Sequence, residues 1–258
     1  MNSVFRVDGD AVAVRPFAAG PWNTSMQHGG APASLAVWAA EQLPAPAPMR
    51  VARLTVDLLR PVPIAPLTLR TEVLREGKKI QLIAVHIEHE GKEVSRANIL
   101  RVRRGGPEFA EVELTDALDL PPPDNVEDRR APERSAQSFG AGFTLRPVRG
   151  EFGKPGPAAI WFKHARSFVE GHDDSPAMRA AAVSDFSNGI SSELDFAKWT
   201  FINADLTVFL VREPVGEWIL LNAQTWLGND GGGMAAARLA DRRGYFGRAM
   251  QNLIVEKR

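Results

Sequence analysis

The chain carries one short segment twice, and the repeat restricts the folds open to it. Leu54-Thr-Val-Asp-Leu-Leu-Arg60 matches Leu206-Thr-Val-Phe-Leu-Val-Arg212 at five of seven positions, at an offset of 152 residues. The same offset, without a gap, puts Arg96-Ala97 on Arg248-Ala249. Two matches in one register mark a duplicated unit, and a repeat has to be recognised before a fold is assigned. A chain of 258 residues has room for two units of ordinary domain size.

The texture around the copies agrees. Residues 3–7 and 11–15 read as strands around the turn Asp8-Gly9. His28-Gly29-Gly30-Ala31-Pro32 leads into an Ala- and Leu-rich helix at 33–43, which Pro44, Pro46 and Pro48 end. Pro32 suits the first helical turn, where its missing N–H costs nothing. Strands follow at 49–60, 67–75, 79–89 and 93–103, with clear alternation in Ala52, Leu54, Val56 and Leu58. The second half repeats this order. Strands read at 139–148 and 158–168, then a helix capped by Ser175 and begun by Pro176 runs through 178–186 to Asn188-Gly189. Four strands follow at 200–212, 217–226, 234–241 and 245–256. Between the halves, residues 105–136 are rich in Pro, Gly and charge and read as a linker joining 1–104 to 137–258. One helix per half cannot supply the crossovers of a parallel sheet. The expected class is α+β, with each half an antiparallel sheet packed on its helix. The small run Ala180-Ala181-Ala182 lets a helix lie close to a curved sheet.

Composition narrows the function. The 31 basic and 31 acidic residues cancel, which leaves no overall field to hold nucleic acid or an anionic membrane. The absence of cysteine removes disulfides, thiolate metal sites and cysteine nucleophiles. The start lacks the basic and apolar regions of a signal peptide, and no apolar run approaches the length of a membrane span. A soluble cytoplasmic protein is expected. There is no Gly-x-Ser-x-Gly elbow for a serine esterase. Gly231-Gly-Gly233 lacks the strand and helix context of a phosphate loop. His172-Asp173-Asp174 reads as a solvated loop before a helix cap, so no metal and no cofactor are expected. His86 and His89 read as surface residues, and His164 has no acidic partner nearby in sequence.

The Gly-Gly helix start, the Leu-Thr-Val-x-Leu-x-Arg strand and the order of one helix then four strands resemble the hotdog fold. Two fused copies with a late Gln resemble the double-hotdog acyl-CoA thioesterases of the type II, medium-chain kind. The resemblance covers nearly the whole chain outside the linker. It implies tandem hotdog domains at 1–104 and 137–258, an acyl-CoA substrate, and hydrolysis by a positioned water. It also leaves room for homo-oligomers through sheet faces or edges. In that family the water is held by an Asp in the second helix, a Thr or Ser two residues before an Asp at the next strand, and a Gln in the last strand. Those places match Asp185, Asn203 (before Asp205) and Gln251. Asn203 departs from the family's hydroxyl: an amide still donates and accepts, but it is longer and differently shaped. Single-domain hotdog enzymes with a His-Gly-Gly helix start imply an oxyanion or substrate-binding role for His28, Gly29 and Gly30.

Comparing the two copies gives an independent reading. At the offset of 152, Asn203 aligns with Val51 and Gln251 with Ile99. The second copy is polar where the first is apolar, and an unpaired buried polar group costs about 1–3 kcal/mol. Gln251 alternates with Ala249, Leu253 and Val255, which points it toward the helix. Strict alternation groups Asn203 with Asp205 and Thr207, away from Ala204, Leu206 and Val208. Asn203 therefore reaches the site only from an irregular strand start. Two rival readings stand beside this one. A hotdog enoyl hydratase or dehydratase needs an Asp and a His close together in one helix, a spacing neither helix shows. A non-catalytic acyl-CoA binder or scaffold is favoured by the amide at 203.

Overall fold

The computed structural model describes residues 2–105, 116–130 and 136–258. In chain order the first elements are β1 (Ser3–Asp8), β2 (Ala11–Val14), α1 (Gly30–Gln42), β3 (Met49–Asp57), β4 (Leu67–Arg75), β5 (Ile80–His89) and β6 (Lys92–Arg103). Next come β7 (Arg129–Arg130), β8 (Phe143–Arg149), β9 (Ala158–His164), β10 (Ser167–Val169), α2 (Pro176–Ser184) and α3 (Ser187–Ser191). The last are β11 (Trp199–Asn203), β12 (Asp205–Leu210), β13 (Trp218–Leu227), β14 (Gly232–Asp241) and β15 (Gly244–Lys257).

The duplicated segment pairs with itself at the middle of the sheet. β3 and β12 run antiparallel with Thr55 opposite Thr207, Val56 opposite Leu206 and Leu54 opposite Val208. Thr55 and Thr207 are the same position of the two copies, so a local twofold axis passes between them. From this seam the strands run β3-β6-β5-β4-β2-β1 to one side and β12-β15-β14-β13-β9-β8-β7 to the other. The first six on each side correspond one to one. β10 then joins β1 in parallel, with Ser3 opposite Ser167, and ties the second half of the chain to the edge of the first.

Both helices lie inside the sheet's curve. α1 is buried from Gly30 to Ala40, which removes any need for a polar stripe. It starts at Gly30, three residues before the expected 33, and Pro32 lies within its first turn. α2 starts as its sequence indicates: the Ser175 hydroxyl accepts the Met178 N–H at 3.1 Å, and Pro176 follows at the first helical position. The second helix is interrupted. α2 stops at Ser184, Asp185 and Phe186 keep right-handed dihedrals without continuing it, and α3 resumes at Ser187.

Both copies of the central strand bulge at the same place. In the first, Val51 faces Arg101 and Arg53 faces Leu100, which leaves Ala52 extra. In the second, Asn203 faces Leu253 and Thr207 faces Met250, so Ala204 lies in the equivalent irregularity. An extra residue reverses which side of the sheet the following side chains face.

Of the expected linker, 106–115 and 131–135 lie outside the described residues. The stretch 116–130 is held against the outer face of the second half. Leu118 and Leu120 pack with Trp161, Leu220 and Tyr245. Trp161 Nε1 donates to the Pro121 carbonyl at 2.9 Å, and Asp116 takes Arg238 and Arg248 at 2.7 and 2.6 Å. Two histidines differ from the sequence reading. His86 is largely buried, with Nδ1 2.5 Å from Glu93, a carboxyl whose pKa the Arg96 guanidinium, helped by His86, lowers to about 2 against the opposing effect of burial. His164 is enclosed and meets Asp174 at 3.2 Å, a partner ten residues away that the strand-to-helix loop brings back. No helix among the described residues is long and apolar enough to cross a membrane.

Candidate active site

A pocket of about 1170 Å³ opens beside the start of α1, and both halves line it. His28, Gly29, Leu58 and Arg60 come from the first; Asp185, Asn188, Asn203 and Gln251 come from the second.

Asp185 is the hub. It sits at the interruption after α2, where the helix break turns its side chain across the interface toward α1. Its Oδ1 accepts the Asn203 Nδ2–H at 2.8 Å and the Gln251 Nε2–H at 2.9 Å. Its Oδ2 accepts the Gly30 N–H at 2.6 Å and lies 2.7 Å from His28 Nδ1. The positive end of the α1 dipole favours a carboxylate there. A ring nitrogen that close to a carboxylate oxygen needs a hydrogen between them, which places the hydrogen on His28 Nδ1. The 3.2 Å approach of the Gly30 amide to the same nitrogen is then the lesser contact. His28 packs against two aromatic rings, with Phe139 and Phe186 centroids at 5.0 and 4.3 Å.

The two glycines are required by space. A Cβ on Gly29 would stand 2.9 Å from both Asp185 oxygens. A Cβ on Gly30 would stand 2.7 Å from the Ala182 carbonyl and 2.9 Å from the Phe139 ring. This packing separates the two glycines for which an oxyanion or substrate-binding role is expected. The Gly30 N–H is taken by Asp185, while the Gly29 N–H has no acceptor among the described residues.

Gln251 is 1% exposed and completes the cradle from β15. Its Nε2 also reaches the Asp185 carbonyl at 3.2 Å, and its Oε1 accepts the Asn188 N–H at 3.3 Å. A backbone N–H can only donate and a carboxylate can only accept, so the amide's orientation is determined. Asn188 continues inward to Thr225 at 3.4 Å, and Thr225 meets Ser191 at 2.8 Å. The sequence reading missed this chain, because Ser187, Asn188 and Ser191 look like the polar end of a helix until α3 is known to be buried.

Asn203 reaches the site through the bulge at Ala204. Phe201 and Asn203 face inward before it; Leu206 and Val208 face inward after it. Asp205 fills the gap in the ladder, accepting the Asn252 N–H at 2.6 Å. The structure thus brings five of the six anticipated residues, His28, Gly29, Gly30, Asn203 and Gln251, around the carboxylate of the sixth, Asp185. At the equivalent places across the local axis, Val51 and Ile99 are buried and apolar.

Comparisons with known proteins fit this geometry. The family described as the acyl-CoA thioesterase C-terminal domain matches residues 117–255, and the acyl-CoA thioesterase N-terminal domain matches 18–102. A hot dog fold protein from Alicyclobacillus acidocaldarius superposes with a TM-score of 0.75 at 17% identity, covering 98% of this chain and 95% of its own. The tesB protein of Mycobacterium avium subs paratuberculosis gives 0.70 at 16%, covering 97% and 95%. An acyl-CoA thioesterase II, TesB2, from Mycobacterium marinum gives 0.69 at 18%, covering 89% of each chain. These similarities show a hotdog fold. No curated relative matches the chain in sequence.

Proposed function

Because the chain belongs to the acyl-CoA thioesterase family, matched at both its N- and C-terminal domains, we propose that it hydrolyses an acyl-CoA thioester to the free acid and CoA. The observation that carries this reading is the meeting of Asn203 and Gln251 on one oxygen of Asp185, at the wall of a pocket that also holds the Gly29 amide. We read the architecture as two tandem hotdog units, 1–104 and 137–258, joined by 105–136. The Thr55–Thr207 pairing and the matching strand orders support that division.

In this mechanism Asp185 takes a proton from a water whose oxygen attacks the thioester carbonyl carbon. Asn203 presents Oδ1 to the water's second hydrogen. Gln251, whose donors already reach Asp185, acts by holding that carboxylate. The developing oxyanion faces the Gly29 N–H, and one such donor is typically worth about 3–4 kcal/mol of barrier. Collapse of the tetrahedral intermediate breaks the C–S bond, and the CoA thiolate takes up the proton that Asp185 carries. His28 keeps Asp185 in register from the other side.

The test is hydrolysis of acyl-CoA esters by the wild type and by Asp185→Asn, followed by release of free thiol. Loss of a positioned general base lowers kcat by roughly 10²–10⁴-fold. A variant with wild-type kcat removes Asp185 from the mechanism. The amide of Asn203 favours a second reading, an acyl-CoA binder with a decayed site. Tight binding without thiol release by the wild type over hours would select it.

A further inference from the structure

The pocket's charged lining is unequal. Among the described residues, the ionisable side chains on its wall apart from His28 are Asp185, Arg60 and Arg258. Asp185 is enclosed by its donors, so the exposed charge on the wall is positive. This is local, since the chain as a whole carries no net charge. Among the described residues, many arginines reach carboxylates or carbonyl oxygens, as Arg15, Arg96, Arg146, Arg212 and Arg242 do. Arg60 and Arg258 reach neither: among the described residues neither guanidinium has a carboxylate or hydrogen-bond partner. Arg60 follows Leu58, whose N–H donates to the Ala204 carbonyl at 2.9 Å beside Asn203. Arg258 lies seven residues beyond Gln251, up to about 23 Å farther along at roughly 3.3 Å per residue.

Arg258 is also held in place. Its guanidinium stands 5.1 Å from the centroid of Trp22, which is half-buried. Trp22 stacks on Phe196 at 5.6 Å and meets Phe201 edge-on at 5.1 Å. Phe201 is in turn buried two residues before Asn203. The rim cation is therefore built onto the same strand as the site. A guanidinium on an aromatic face keeps its N–H fork available for a phosphate.

We propose that Arg60 and Arg258 form a phosphate-recognition rim, one that reads the nucleotide end of a CoA ester and so selects free CoA over a protein carrier of the same pantetheine arm. This rests on the thioesterase reading and adds to it the part of the substrate that is recognised. The reacting carbonyl lies at Asp185. The extended arm leads outward, and the phosphates meet the two arginines near the end of β15.

One acyl group, delivered as acyl-CoA, as acyl-pantetheine and on acyl carrier protein, tests the rim. The wild type is expected to show a KM at least 10-fold lower for acyl-CoA than for acyl-pantetheine, an advantage that salt erodes. Arg60→Ala/Arg258→Ala is expected to lose most of that advantage while thermal unfolding confirms that it folds. Equal KM values for the two small thioesters in the wild type would overturn the proposal. So would an advantage that survives in the variant, or a preference for the carrier protein. If no thioester is hydrolysed at all, the thioesterase reading fails separately. Titration with free CoA then still reads the rim, and equal affinity of wild type and variant would sink it.

Discussion

Thr55 and Thr207 stand opposite each other on β3 and β12, and they are one position of the repeat read twice. The axis through that pair relates Val51 to Asn203 and Ile99 to Gln251. Both copies bulge at the equivalent alanine, so the backbones agree and the side chains differ. One side is closed with hydrocarbon and the other is polar around Asp185. Equivalent backbones with unequal chemistry place the candidate site on one side of the axis.

Copying the apolar side onto the polar one tests this. Asn203→Val removes a hydrogen bond to a charged group, worth about 1.5–3 kcal/mol. The expected result is kcat/KM lower by roughly 10–100-fold, with a thermal midpoint close to wild type because Asn203 is only half-buried. Asn203→Thr restores a hydroxyl that both donates and accepts, and should keep more activity than the valine variant. Steady-state hydrolysis of one acyl-CoA by all three proteins decides it; equal rates for Val and Asn would end the role of Asn203.

The two glycines at the start of α1 separate by what an added methyl meets. In Gly30→Ala the Cβ meets backbone at Ala182, 2.7 Å away, which cannot yield without moving α2. Overpacking of that kind costs about 1–3 kcal/mol. In Gly29→Ala it meets the Asp185 carboxylate, which can turn aside and break its own contacts. Thermal unfolding and hydrolysis measured together should show Gly30→Ala losing stability and activity, and Gly29→Ala losing mainly activity.

Much of the fold was legible because strand alternation, the Asp8-Gly9 turn and the Ser175-Pro176 helix start are local. The candidate residues were legible because Asp185, Asn203 and Gln251 are polar at positions where the copies could be compared or a known family resembled. What was not legible depends on distance in sequence. The oxyanion role expected of Gly30 stands open until Asp185, 155 residues away, is seen to take its amide. The burial of His164 follows from Phe143 and Phe168 closing on its ring. The phase of Asn203 required an irregularity, but nothing in Ala204 itself announces a bulge.

Asp205 holds that bulge, and it acts through Asn203. Asp205→Ala leaves the Asn252 N–H without its acceptor. The contact is exposed, so the stability cost should be small, about 1 kcal/mol. The larger effect expected is on kcat, because a relaxed bulge turns Asn203 away from Asp185, while KM changes little. Asp205→Asn keeps an acceptor oxygen and should recover most of the rate. A purely structural role would instead lower the thermal midpoint in both variants and leave the kcat of each folded protein intact.

His164 gives a pH dependence whose sign is determined by burial. Enclosure lowers its pKa below the ordinary 6.5, against its hydrogen bond to Asp174, and Arg166 and Arg179 add like charge. Its Nε2 is buried without a partner among the described residues, so protonation would put an unsatisfied N–H and a charge into the core. The unfolded chain then binds the proton more readily than the folded one. The His164 contribution is fully present above about pH 6.5 and is lost as pH falls below it. Glu41 works in the opposite sense near its own range, since burial raises its pKa and favours the folded state in acid. Comparison with His164→Gln isolates the histidine. The stability difference between wild type and variant, from chemical unfolding at pH 8 to 5, should be constant above 6.5 and move against the wild type below it. A difference that moves toward the wild type as pH falls would mean that the Asp174 contact outweighs burial.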